Sequence, residues 1–487
     1  MVTRKWLVLG VVLLGGLASG WLLQRVAAET PGQAKPVPRP ATVLDFGAAG
    51  DGQADDTAAV QRAVDAGVGQ VRFPAGTYRL TKTVVIDLDR VGYTAVSGNG
   101  VAQIIMAGQG PAFRFVGTHG GTASPTTVKP NVWQRQRAPS VEGIEIVGDH
   151  PEALGVEATG TMQLTLSRLV VRDALHAVRL VERNRNVILS ECHLYDNHGV
   201  GVYLDGVNLH QINVANCHIS YNDGGGIVAR DSELRNLHVG TCDIEANMGG
   251  PDSQPTANIL LDSTGNSIAE VAIVGCTIQH AHDAPNSANI RIDGRSRKRP
   301  HTEELRHGNI TIADNVLSDV QVNVEVRNVR GATITGNTFW QAYSDNLVVE
   351  GSDNIVVASN VFDRNPRYHG GDGGTARLGI VFRDCDGGTL AGNHVAGTGD
   401  VPAAIVLRRC RRMNVTGCTI LDYGRCGLLL DNVSDSRVSD CLIRATGDAG
   451  PALQIAAGTG NLVVDNLLGN KPKLGDDVGV VRDNVYP

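Results

Sequence analysis

Three acidic residues, Asp262, Asp293 and Glu325, stand 31 and 32 residues apart along the chain. Each falls in the same kind of short alternating phrase: Ile259-Leu260-Leu261-Asp262, Ile290-Arg291-Ile292-Asp293 and Val324-Glu325-Val326-Arg327. Carboxyl groups held close together divide acid and base roles between them, and such pairs cleave glycosidic bonds. Arg230, Arg291 and Arg327 recur in the same phrases, and Tyr203 stands in an earlier one. A guanidinium there can neutralise the acids in an exposed charge ladder, or grip a substrate carboxylate with two hydrogen bonds. Two loop candidates for a general base are His282-Asp283 and Tyr368-His369 with Asp372. Trp340 and Tyr343 lie beside Asn337, where packing at a corner is the expected role.

Whether these groups meet depends on the elements that carry them. The alternating phrase occurs eleven times, from Val178/Leu180 to Leu453/Ile455, and both residues of every pair are apolar. Alternation with one apolar face describes a half-buried strand. Its starts are 23 to 25 residues apart in most repeats and 31 to 34 in four of them. A second phrase marks turns, with Cys or Asn at Cys192, Cys217, Cys242, Cys276, Asn315, Asn337, Asn360, Asn393, Cys418, Cys441 and Asn466. Asn suits the left-handed backbone of such turns. One strand recurring once per repeat stacks in parallel on itself, and further short strands such as Val187-Ile188-Leu189 fill each repeat. The expected fold is all-β, a right-handed parallel β-helix. No leucine-rich pattern followed by a helix supports the rival solenoid.

With coils stacked ~4.8 Å apart, Asp262 and Asp293 share one slot on adjacent coils, ~5 Å from each other. Asp293 and Glu325 are offset by one coil and two residues, roughly 8 Å. The first spacing suits retaining glycosidases and the second inverting ones. The long repeats place insertions at 246–257, 280–288 and 363–378 before the strand and at 294–308 after it. Loops on both edges of one sheet would wall a groove suited to a long polymer. Its floor would carry Tyr203, Asp205, Arg230, Asp262, Arg291, Asp293, Glu325, Arg327, Glu350 and Arg383.

One helix is expected, over 57–66, capped by Asp55 or Asp56, with apolar positions at 60, 63 and 64. It would close the exposed end coil of the tube. Gly is 59 of 487 residues, aromatics are 4% and the net charge is −7, which disfavours a general nucleic-acid binder. Arg4 and Lys5 precede an uncharged run from Trp6 to Leu23, followed by Val26-Ala27-Ala28. This reads as a signal peptide or an N-terminal membrane anchor over 1–28, with the rest secreted, periplasmic or at the cell surface. A Pro-rich linker (29–41), the β-helix domain (42–470) and a C-terminal tail (471–487) follow. Cys192, Cys217 and Cys242 are 25 residues apart, as are Cys385 and Cys410, which predicts stacked buried thiols in equivalent slots.

Val43–Thr57, the helix, and Val71–Tyr78 together resemble the entry segment of the pectate-lyase-like β-helix superfamily. That segment opens many polysaccharide-degrading enzymes, including relatives of the polygalacturonases, and some phage tailspikes. It implies the pectin-lyase-like fold and carries no catalytic residue. The polygalacturonase Asn-Thr-Asp motif is absent, Gly475-Asp476-Asp477 lies in the tail, and Arg291-Ile292 leads into Asp293. His119, His198 and His369 precede Gly but follow Thr, Asn and Tyr, and the Asp-Pro-His of alginate epimerases is missing. We therefore expect an exported protein acting on an extracellular polysaccharide. Asp262, Asp293 and Glu325 are the catalytic candidates, and Arg230, Arg291, Arg327, Tyr203, His282 and Asp283 the substrate-binding ones. The alternatives are a non-catalytic glycan-binding or structural β-helix, and a uronate lyase or epimerase. No cofactor is expected for hydrolysis, whereas Ca²⁺ held by carboxylates of different coils would serve a lyase. Oligomeric state is left open.

Overall fold

Every one of the eleven alternating phrases forms a strand, and its first apolar residue pairs with the equivalent residue of the next. The column runs Val178, Val202, Ile227, Ile259, Ile290, Val324, Leu347, Ile380, Ile405, Leu428 and Leu453, all in parallel register. Their side chains are buried, so the column is one wall of the core. We describe this computed structural model over residues 40–251, 256–297, 302–368 and 370–487. Each coil adds two more strands after the first, giving three parallel sheets around one apolar interior, a right-handed parallel β-helix. The second sheet stacks Leu166, Leu189, Val214 and Val239, and the third stacks Val171, Leu194, Ile219 and Ile244. Residues 41–487 form a single unit.

The corners follow from the turn chemistry. Asn186, Asn216, Asn236 and many Asp residues adopt positive φ, a conformation that short polar side chains tolerate. Buried amides form ladders: Asn197 donates to Asn222 (2.7 Å) and Asn222 to Asn247 (2.6 Å). Asn315, Asn337, Asn360 and Asn393 repeat the arrangement at another corner, each amide 3.0 Å from the next. All nine cysteines are free and buried, several in the same slots as those amides. Cys192, Cys217 and Cys242 donate weakly to backbone carbonyls of their own or the preceding coil.

Helix α1 spans Thr57–Asp65 and buries Ala59, Val60, Ala63 and Val64 against the first coil. Asp55 accepts the Thr57 N–H at 3.0 Å, whereas the Asp56 carboxylate turns back to accept from Ala49 N and Gly50 N. Strand pairing continues past residue 470, a correction to the expected tail. Lys473–Leu474 pairs with Leu453–Thr459, and Gly479–Arg482 with Asn461–Val464. Among the described residues no helix is long and apolar enough to cross a membrane. The expected targeting segment at 1–28, with its apolar run from Trp6 to Leu23, and linker residues 29–39 lie outside the described residues, as do His369 and the Asp372 side chain.

Candidate functional site

The first sheet presents its outer face at the middle coils. Asp262 and Asp293 are direct register partners on the strands Ala257–Asp262 and Ala288–Asp293. The next coil brings Glu325 opposite Arg291, and Arg327 opposite Asp293. These side chains line a cavity of about 330 Å³ together with Arg230, Leu260, Thr264 and Asn286. All three expected carboxylates and all three expected arginines thus meet in one place. Tyr203, His282 and Asp283 are outside it.

The carboxylates are held differently. Asp262 Oδ1 accepts from the Thr264 N–H (2.9 Å) and hydroxyl (2.6 Å). Asp293 Oδ1 accepts from the Arg295 N–H (3.0 Å) and from Asn328 Nδ2 (3.1 Å). In both, Oδ2 has no hydrogen-bond partner among the described residues. Glu325 is only 4% exposed. Arg291 Nε donates to its Oε2, and Arg327 Nε donates to its Oε1 at 2.8 Å. Burial pushes the Glu325 pKa up, but the two guanidiniums outweigh it and the net shift is downward. Both Glu325 oxygens are thus committed to arginines. Arg291 also donates to the carbonyls of Thr256 (3.1 Å) and Asn286 (2.6 Å), so Glu325 and two inserted loops fix its guanidinium together.

The expected groove floor is partly covered. Val228 and Leu260, on the outer face, are 1% and 8% exposed and pack with Val200, Ala257 and Ala288. Tyr203 belongs to this apolar patch and meets the His176 ring edge-on at 5.0 Å. His282 stacks on Tyr343, centroids 4.0 Å apart, and Asp283 is exposed on the same loop. Trp340 packs on Tyr368 at 4.7 Å, in keeping with a corner role. After the strand Ala288–Asp293, Arg306 bridges Glu304 and Asp353. Sequence reasoning missed Thr264, Asn328 and Arg295, which orient the two aspartates. The available signal was the αL-prone Asn328, one residue past the strand on the coil after Asp293.

Successive stretches of the chain match three family models. Residues 41–138 match "Rhamnogalacturonase A/epimerase, pectate lyase-like", residues 150–278 "Right handed beta helix region", and residues 289–486 "Periplasmic copper-binding protein (NosD)". The chain is a right-handed parallel β-helix, with its pectate-lyase-like match over residues 41–138. A stretch of 43 residues is 58% identical to mannuronan C5-epimerase AlgE3 of Azotobacter vinelandii, covering 8% of this chain and 2% of that protein. Among solved structures, tailspike protein 3 of bacteriophage CBA120 is similar over 91% of this chain and 61% of its own, at 15% identity and a TM-score of 0.43. The A-module of mannuronan C-5 epimerase AlgE4 of Azotobacter vinelandii is similar over 92% of this chain and 99% of its own, at 13% identity and a TM-score of 0.36.

Copper, named in the third family description, favours thiolate, thioether and imidazole donors. Within 289–486 the five cysteines and Met413 are all buried in the core, at 4% exposure or less. Among the described residues, no group of three or more His, Cys, Asp or Glu is placed to hold a metal ion. Among the described residues, the donors do not form a set that fits that group.

Proposed function

We propose that this protein is an exported carbohydrate-active β-helix that binds an extracellular polysaccharide across the outer face of its first sheet and hydrolyses glycosidic bonds there. The observation that carries the reading is the in-register pair Asp262 and Asp293 in a cavity flanked by Arg230, Arg291 and Arg327. Adjacent parallel strands put such a pair ~5 Å apart, in the range of retaining enzymes. One aspartate attacks the anomeric carbon while the other protonates the leaving oxygen. The second then takes a proton from the water that releases the sugar. Each aspartate is oriented through Oδ1 and keeps Oδ2 for this work. Glu325 is a positioning residue that holds Arg291 and Arg327, and the exposed Arg230 orients the substrate. Export is supported by the basic and apolar start of the sequence, and the substrate class by the description of the family model matched at 41–138.

The test is a panel of soluble polysaccharides incubated with the purified protein, reading reducing ends, unsaturated uronate absorbance and binding in parallel. New reducing ends without that absorbance, lost in Asp293→Asn with the fold intact, are expected. Turnover retained by Asp293→Asn removes this residue from the mechanism, and unsaturated products assign a lyase instead. A second reading, a glycan-binding β-helix without turnover, has one observation in its favour. All three carboxylates accept two or more hydrogen bonds or ion pairs from the protein itself. Saturable binding with no product from any polymer would select it.

A further inference from the structure

A second concave surface lies on a different sheet and on earlier coils. Ala95, Ser140, Thr165, Ile188 and Asn213 form one register column on the second sheet. Two residues before them stand Tyr93, Ala138, Gln163, Asn186 and Gln211, a parallel row at the corner. From Ala138 onward this row has positive φ, between 54° and 62°, which turns the side chains out of the ladder. A bulky ring begins the row, three amides end it, and the single methyl of Ala138 leaves a dip between them. The dip opens a cavity of about 470 Å³, lined by Ala138, Gln163, Thr165, Asn186, Gln211 and Asn213 among others. That volume falls among small-ligand clefts of about 300–1,000 Å³.

The lining contains no charged group, unlike the aspartate and arginine cluster of the first sheet. Its amides offer donors and acceptors side by side, and Asn186 Oδ1 is shielded from solvent with no hydrogen-bond partner. Ile188 adds an exposed apolar floor, at 43%. At the near end, Tyr93 and Trp133 remain 48% and 41% exposed. The Arg137 guanidinium lies 6.0 Å from the Tyr93 centroid and 5.3 Å from that of Trp133, and the Tyr93 hydroxyl donates to the Trp133 carbonyl. The two rings are therefore ordered in advance while still presenting surface.

We propose that this shelf is a binding site for an uncharged glycan chain, which stacks sugar faces on Tyr93 and Trp133 and sets its hydroxyls on Gln163, Asn186, Gln211 and Asn213. Alternating hydroxyls and C–H faces match amides and aromatic rings, as amphipathic rings and paired donor–acceptor groups require. An extended peptide is less suited, because the strands beneath are already hydrogen-bonded to coils on both sides and offer no free edge. The shelf is independent of the hydrolytic reading: it shares no residue with the aspartate cavity.

The experiment is affinity electrophoresis of the full-length protein through gels containing mixed-linkage glucan, galactomannan or arabinoxylan, with polygalacturonate as the charged comparison. Retardation by at least one neutral polymer is expected, weakened about tenfold in Trp133→Ala, the size of one aromatic stacking contact. Ala138→Gln fills the dip with the residue that Gln163 already places on equivalent backbone, and the same loss is expected there. Arg425→Ala, at an exposed ion pair outside both cavities, should bind as wild type. No retardation by any neutral polymer overturns the proposal. So does retardation unchanged in both shelf variants, or binding confined to polygalacturonate.

Discussion

Replacing Glu325 by alanine strips the anion from two guanidiniums at once, and the structure says which loss matters. The Arg327 side chain is 48% exposed and turns to water at little cost. The Arg291 side chain is 15% exposed and keeps only the Thr256 and Asn286 carbonyls. A buried charge left without its partner costs about 3–5 kcal/mol, and those two carbonyls place Glu325→Ala near 3 kcal/mol. Glu325→Leu combined with Arg291→Met should recover most of it, since matched apolar replacement of a buried pair is close to neutral. Urea unfolding followed by fluorescence and circular dichroism together measures both variants. Acid adds a second signature. Since the folded pKa of Glu325 is depressed, its stabilisation is full above the unfolded value of about 4.3 and fades as pH falls through the lower folded value. In the activity assay Glu325→Gln should keep turnover within about tenfold, while Asp293→Asn loses about a hundredfold or more. An unfolding free energy of Glu325→Ala within about 0.5 kcal/mol of wild type, or turnover lost as fully in Glu325→Gln as in Asp293→Asn, refutes the positioning role.

Three further outcomes follow from other parts of the molecule. Asn337→Ala removes the amide that accepts the Asn315 N–H and donates to the Ile312 carbonyl, each at 3.0 Å, and should lower stability by about 3 kcal/mol. Asn337→Cys should lose less in the same denaturation series, because Cys418 fills that slot on a later coil and reaches the Leu390 carbonyl. Burial, with help from Arg179, holds the His176 pKa down at about 4. The unfolded chain therefore takes up a proton first, and stability should fall by about 3 kcal/mol between pH 6.5 and 4, a slope that His176→Gln flattens in pH-dependent unfolding. All nine thiols should stay inert to an aromatic disulfide reagent until denaturant is added, and reductant should leave the melting temperature unchanged.

Much of this was written in local pattern. Alternation of apolar residues is a property of a few adjacent positions, so the eleven core strands and their stacking were legible from the chain alone. The same regularity placed Asp262 over Asp293, because equal phrases in successive coils occupy equal slots. The cysteines were legible too, since a slot shared with buried Asn must be small and internal. What escaped was anything decided between coils by side-chain direction or by inserted loops. Tyr203 turns to His176 and the apolar patch, His282 to Tyr343, and Glu325 disappears beneath two arginines.

The shelf on the second sheet shows the same division. Nothing in the local sequence links Tyr93, Ala138 and Gln163, yet winding the chain brings them into one row. The sequence by itself determined the period, the inward face and the carboxylate column, because backbone alternation and burial act on neighbouring residues. Only the tertiary structure decided which charges are sealed, which oxygens stay free and where the surface dips, because each depends on groups that lie a full coil or more away.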